Sequence, residues 1–165
     1  RRRCTRLARR TSGANRVVPD ANMLVRLVAP GDFREQALAL WERILLGCEP
    51  CVVPSFCAAE VISSLRQMGR GGHLTAEREA QALDEFGTGI QPAVISVESP
   101  VLTRAAWEIA RDLSERHTYD SVYLAVARAF GMEFWTADQR LLRQLAGRFP
   151  EARFLGDYPL PPLAP

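Results

Sequence analysis

Residues 118–142, TYDSVYLAVARAFGMEFWTADQRLL, decide the fold. Apolar residues at Val122, Tyr123, Val126 and Ala129 or Phe130 recur at helical spacing. Gly131 supplies the left-handed residue that ends such a helix. Glu133-Phe134-Trp135 then reads as a short buried strand, and Asp138 opens another helix carrying Leu141, Leu142 and Leu145. Helix, turn, strand and helix in this order are half of a parallel α/β unit. Asp120 falls in the first turn of one helix, and Asp138 just beyond the strand. In open α/β sheets, ligands bind in the crevice past the carboxyl ends of the strands.

The same alternation extends outward to both ends. Val17-Val18-Pro19-Asp20 is a short strand ending in an acid, and proline is tolerable there only at the last position. A helix is predicted over 22–28. Asp32 and Glu35 have capping-box-like spacing before a helix reaching about Leu46. Cys51-Val52-Val53 is a second strand closed by Pro54. Ser55 is the expected cap of a helix over 56–68, with a stripe of Ala58, Val61 or Ile62, Leu65 and Met68. Glu60 lies beside that stripe. A polar helix over 75–86, a strand over 93–97 and a helix opened by Ser99-Pro100 follow. Val101, Leu102, Ala106, Ile109 and Leu113 form that helix's apolar side, and Arg116-His117 ends it. Arg153-Phe154-Leu155 is the last strand. Strands alternating with helices predict an α/β chain whose mainly parallel sheet is covered on both faces.

The 165 residues are enough for one domain with a real core. The expected organisation is an Arg-rich, disordered arm over 1–15, a single domain over 16–158 and a proline-rich tail over 159–165. No apolar run is long enough to span a bilayer, and none resembles a signal peptide core, so no membrane association and a cytoplasmic location are expected. All 21 Lys-plus-Arg positions are Arg. Without Lys there is no Walker phosphate loop, no Schiff base and no two-component receiver site. The formal charge of +2 does not by itself indicate nucleic acid. Cys48 and Cys51 have CxxC spacing, with Cys57 and His73 beyond. A zinc module would need a second ligand pair, and a redox motif would open a helix rather than close one. Small, mostly buried thiols in a reduced compartment are the expectation for the Cys.

Asp20, Glu60, Asp120 and Asp138 all fall near strand ends. Each has a local structural explanation: Asp20 and Asp138 as helix caps, Asp120 as a charge complementing a helix dipole, Glu60 as a solvated side chain. Converging on one crevice, four ionised carboxylates would repel one another. A divalent cation removes that cost, and oxygen ligands select Mg²⁺ or Mn²⁺ over zinc. Such ions activate water and stabilise the leaving oxygen of a phosphodiester.

The order VVPDANMLV, PSFCAAEV, YDSVYLAVA, EFWTADQRL resembles the PIN-domain nucleases, and within them the VapC toxins of bacterial toxin–antitoxin pairs. The resemblance covers about residues 16–158. It implies a three-layer α/β/α sandwich and a metal-dependent endoribonuclease, with Asp20, Glu60, Asp120 and Asp138 matching the family's acidic quartet. Asn22 and Thr136 match the polar residues that accompany the first and last acids, where they would orient a carboxylate, a water or a phosphate oxygen. It also implies an RNA substrate, a small antitoxin partner and a homodimer. Arg116 and Arg140 flank two of the acids and could contact substrate phosphate. His117 has no partner visible in sequence that would make it a general base. Two alternatives stay open: a nuclease acting on structured DNA, and a non-catalytic module whose acidic cleft accepts an Arg from a partner.

Overall fold

The computed structural model describes residues 16–47, 49–114, 118–145 and 147–160. The Arg-rich arm, Cys48, Arg116, His117 and the last five residues of the proline-rich tail lie outside the described residues.

Among the described residues, five short strands form the centre: β1 (Val17–Pro19), β2 (Val52–Pro54), β3 (Ile95–Val97), β4 (Glu133–Thr136) and β5 (Ala152–Phe154). Every pairing is parallel. β1 pairs with β4, β4 with β5, and β2 with β3. A parallel bridge between Val17 and Cys51, with a Val17 N–H to Pro50 carbonyl bond of 3.2 Å, joins the two ladders in the order 3-2-1-4-5. The predicted mainly parallel sheet is therefore wholly parallel among the described residues.

β1 and β2 both read Val-Val-Pro, and both use the proline in the same way. Pro19 lies opposite Trp135, and the next residue, Asp20, donates its N–H to the Trp135 carbonyl at 3.0 Å. Pro54 lies opposite Val97, and Ser55 donates to the Val97 carbonyl at 3.0 Å. The lost donor thus falls at the strand's last position, where the ladder ends.

Among the described residues, seven α-helices connect the strands: α1 (Ala21–Val28), α2 (Arg34–Gly47), α3 (Cys57–Arg70), α4 (Ala76–Glu85), α5 (Pro100–Leu113), α6 (Tyr119–Phe130) and α7 (Gln139–Leu145). α5 packs on α6, which lies across β1, β2 and β4; α1 packs on α2 and α3, and α3 on α4. The result is the expected three-layer α/β/α arrangement. α6 is the central helix: Ser121 and every residue from Tyr123 to Ala127 are buried. Burying Tyr123, Leu124 and Val126 contributes on the order of 1.5–3 kcal/mol each. Ala129 and Phe130, expected in the core, are exposed, because the helix leaves the sheet as it reaches Gly131. Gly131 caps it at φ 61°, and Met132 N–H reaches back to the Ala127 carbonyl at 2.9 Å.

Several local expectations are corrected. α2 begins at Arg34, and the residue before it is Phe33 at φ 62°, so Asp32 is not its cap. The turn is held instead by Phe33, whose ring meets Phe154 edge-on at 5.0 Å. α3 begins after Phe56 with no side-chain cap, so Ser55 does not cap it either. Val61, not Ile62, carries the α3 stripe, and Val101 of α5 is exposed. β3 is confined to three partly or fully exposed residues because Gln91–Ala93 form a tight helical turn. β5 lies one residue earlier than expected.

Candidate active site

The order 3-2-1-4-5 reverses direction at β1, whose neighbours β2 and β4 lead to opposite sides. The carboxyl ends of β1 and β4 flank this switch point, where parallel α/β folds hold their ligands. Asp20 follows β1 immediately, and Thr136 ends β4.

Asp20 is buried, 4 % exposed. One carboxylate oxygen caps α1 by accepting the Met23 N–H at 2.7 Å. The other accepts the Thr136 hydroxyl at 2.5 Å. Thr136, fully buried, accepts the Asp138 N–H on its own oxygen at 3.0 Å. Asp138 in turn caps α7, accepting the Arg140 and Leu141 N–H groups at 2.7 and 3.0 Å. One chain of hydrogen bonds therefore ties the acid after β1 to the acid after β4. The cap roles expected of Asp20 and Asp138 are both present, and for Asp20 capping does not exhaust the side chain.

Burial pushes the Asp20 carboxyl up to about 7. The bonds from Thr136 and Met23 oppose that shift, and the charges of Asp120 and Glu60 add to it. The neighbouring charges that act on Asp20 among the described residues are thus negative. Glu60 sits in the first turn of α3, half-buried, and one of its oxygens accepts the Tyr123 hydroxyl at 2.7 Å. Burial raises its pKa, and that bond holds the shift back. Asp120 is exposed in the first turn of α6. Asp120 and Glu60 each lie within electrostatic reach of Asp20, and Asp138 is tied to Asp20 through Thr136. Asn22 and the Arg140 side chain are exposed, and the described contact of Arg140 with Asp138 runs through its backbone.

Sequence patterns did not mark two buried residues beside these acids. Tyr123, expected only as core, is 2 % exposed, yet its hydroxyl reaches Glu60 and also meets the Cys57 thiol. Burial, the thiol and Glu60 together hold its pKa far above the ordinary phenol value, so it stays a donor. Burial likewise pushes Cys57 up to about 12, with Glu60 and Asp20 adding to it. The available signal was spacing: Tyr123 lies three residues after Asp120, and Cys57 three before Glu60, each pair on one helix face.

The donor set is oxygen-rich, partly buried and mutually repelling, which suits a hard divalent cation in chemistry. As the side chains stand, no three Asp, Glu, His or Cys among the described residues surround a single ion position. Asp120 is exposed and Glu60 half-buried, while Asp20 is held by its bonds to Met23 and Thr136.

Comparison with known proteins identifies the family and the fold. The PIN domain family matches residues 17–147. The chain is 32 % identical over 149 residues to Ribonuclease VapC3 of Mycobacterium tuberculosis, covering 88 % of this chain and 96 % of that protein. Its fold is similar to the crystal structure of PAE2754 from Pyrobaculum aerophilum, with a TM-score of 0.61 and 19 % identity over 86 % of this chain and 85 % of that one. It is also similar to a chain of a toxin–antitoxin complex from Klebsiella pneumoniae, with a TM-score of 0.54 and 18 % identity over 84 % of this chain and 97 % of that one.

Proposed function

The chain belongs to the PIN-domain family, and from that premise we propose that it is a metal-dependent endoribonuclease, the toxin of a VapBC-type pair. The observation that carries the reading is Asp20: a buried carboxylate at the switch point, pushed up to about 7, with only further negative charges acting on it among the described residues. Its relative at 32 % identity is a ribonuclease.

In this reading Asp20, Glu60, Asp120 and Asp138 hold Mg²⁺ or Mn²⁺. A bound ion of this kind supplies an acidified water and neutralises charge on a phosphodiester. The residues of the chain prepare for it. A cation bound there would favour the ionised form of Asp20, which would couple binding to loss of its proton. Thr136 fixes the orientation of Asp20 and, through the Asp138 N–H, the entry of α7. Tyr123 pins one oxygen of Glu60 and leaves the other to turn toward Asp20. Asn22, Arg116 and Arg140 position water or substrate phosphate.

Among the described residues no helix is long and apolar enough to cross a membrane, and a cytoplasmic location is part of the proposal. So are a homodimer and a small cognate antitoxin, the last motivated by the Klebsiella neighbour, which belongs to a toxin–antitoxin complex. An antitoxin Arg entering the acid cleft would make the same carboxylates an inhibitor site. Side-by-side digestion of single-stranded RNA and structured DNA tests the substrate. RNA cleavage in excess over DNA is expected; cleavage of DNA alone would overturn the ribonuclease assignment.

A further inference from the structure

A second cavity, about 270 Å³, opens at the carboxyl ends of β2 and β3, beside the acid cluster. That is just below the ~300–1,000 Å³ usual for small-ligand sites, and suits a single flat heterocycle. Its walls are Phe56, Leu102, Trp107 and Val122, and its polar rim includes Ser55 and Glu98. Phe56 also lines the adjoining groove of about 470 Å³ that contains Glu60, Ser63, Ser64, Gln67 and Tyr119. One aromatic ring therefore separates the cavity from the groove that holds Glu60. Phe56 is fixed edge-on between Tyr119 at 5.5 Å and Tyr123 at 5.8 Å.

We propose that this cavity is a subsite for one unstacked nucleobase of the RNA whose backbone lies in the Glu60 groove; the proposal rests on the nuclease reading above. Three observations argue for a base and against backbone or apolar peptide. Trp107 is 53 % exposed, whereas Trp41 and Trp135 are 8 % and 7 % exposed, so an indole is offered to solvent at the mouth of an otherwise apolar cavity. Bases stack on such surfaces, whatever their sequence. Glu98 is exposed at the rim and would repel a phosphate, while a carboxylate accepts the N–H donors of a base edge. Arg111 lies over the Trp107 ring, 5.0 Å from its centre, where it can meet the phosphate next to the stacked base. Guanine presents two adjacent donors, N1–H and the N2 amine, and fits Glu98 best. Uracil, whose single N–H lies between two carbonyls, fits least well.

Because Trp41 and Trp135 are buried, quenching of tryptophan fluorescence reports on Trp107. Titration with the four nucleoside monophosphates is expected to quench saturably, GMP at the lowest concentration and UMP at the highest, while ribose 5-phosphate leaves the signal unchanged. Equal quenching by ribose 5-phosphate would overturn the base site. In single-stranded RNA cleavage, Trp107→Ala is expected to raise KM by about 5- to 150-fold, the range covered by base–aromatic stacking, with kcat within about twofold. Glu98→Gln is expected to narrow the gap between guanine- and uracil-containing substrates. An unchanged KM in Trp107→Ala, or a change only in self-association, overturns the base subsite alone. Failure of the unaltered protein to cleave RNA overturns the nuclease reading.

Discussion

Replacing Asp20 with Asn should make the metal-free protein more stable at neutral pH, although it removes a proposed ligand. In the folded protein burial pushes the Asp20 carboxyl from an ordinary 3.8 up to about 7. The folded state therefore holds a proton that the unfolded chain has released, and stability falls as pH rises between those values. At ~1.4 kcal/mol per pH unit, the ionised Asp20 costs on the order of 4 kcal/mol above pH ~7 and nothing below ~4. Asn is an equally good cap for the Met23 N–H, and its amide can donate to the Thr136 oxygen. What the Asn variant loses is the acceptor for the Thr136 hydroxyl, on the order of 1 kcal/mol. Urea unfolding in excess chelator should show the two proteins within about 1 kcal/mol at pH ~4. At pH ~8 the Asn variant should be ahead by roughly 2–4 kcal/mol. Carboxylates that do not act on Asp20 titrate alike in both proteins and cancel in the difference; Glu60 and Asp120 are coupled to it. Adding Mg²⁺ or Mn²⁺ at about 100 times its dissociation constant should stabilise the wild type by ~2.7 kcal/mol and the variant by less. A stability difference that does not change with pH would mean that Asp20 does not titrate with a raised pKa in the folded protein.

Two further outcomes follow from the same geometry. Tyr123→Phe keeps the ring in the core and removes the hydroxyl that pins Glu60; a loss of about 0.5–1.5 kcal/mol in urea unfolding is expected, with kcat reduced about tenfold and the RNA KM little changed. Burial pushes Cys51 and Cys57 up to about 12, so peptide mapping after a thiol reagent at pH ~8 should find both unlabelled in the native protein and labelled in urea. Labelling of native Cys57 would mean that solvent reaches the floor of the acid cluster.

The stretch from Thr118 onward was legible because helix, glycine stop and buried strand each follow from local spacing. The four acids were legible as positions near strand ends for the same reason. The pairing order was not, since which strand lies beside β1 depends on contacts between distant segments. The two missed caps share a physical cause. Ser55 and Asp32 have favourable chemistry for their positions, but Phe56 and Phe33 take the turns because their rings pack against Tyr123 and Phe154. Tertiary packing there outweighs a cap of about 1 kcal/mol. Tyr123 was legible as core and not as a partner of Glu60. A buried phenol must place its hydroxyl somewhere, but the pattern on α6 does not say that α3 supplies the acceptor.

We propose that Asp20 and Asp138 beyond β1 and β4, with Glu60 of α3 and Asp120 of α6, make this chain a metal-dependent ribonuclease. Cleavage of a defined single-stranded RNA, measured against Mg²⁺ and Mn²⁺ concentration for the wild type and Asp120→Asn, tests it most directly. Asp120 is exposed, so its replacement leaves the core untouched. No cleavage is expected in excess chelator, with saturable recovery on adding either ion, and a loss of about a hundredfold or more in Asp120→Asn with an unchanged circular dichroism spectrum. Undiminished cleavage in chelator, or full activity of the variant, would contradict it.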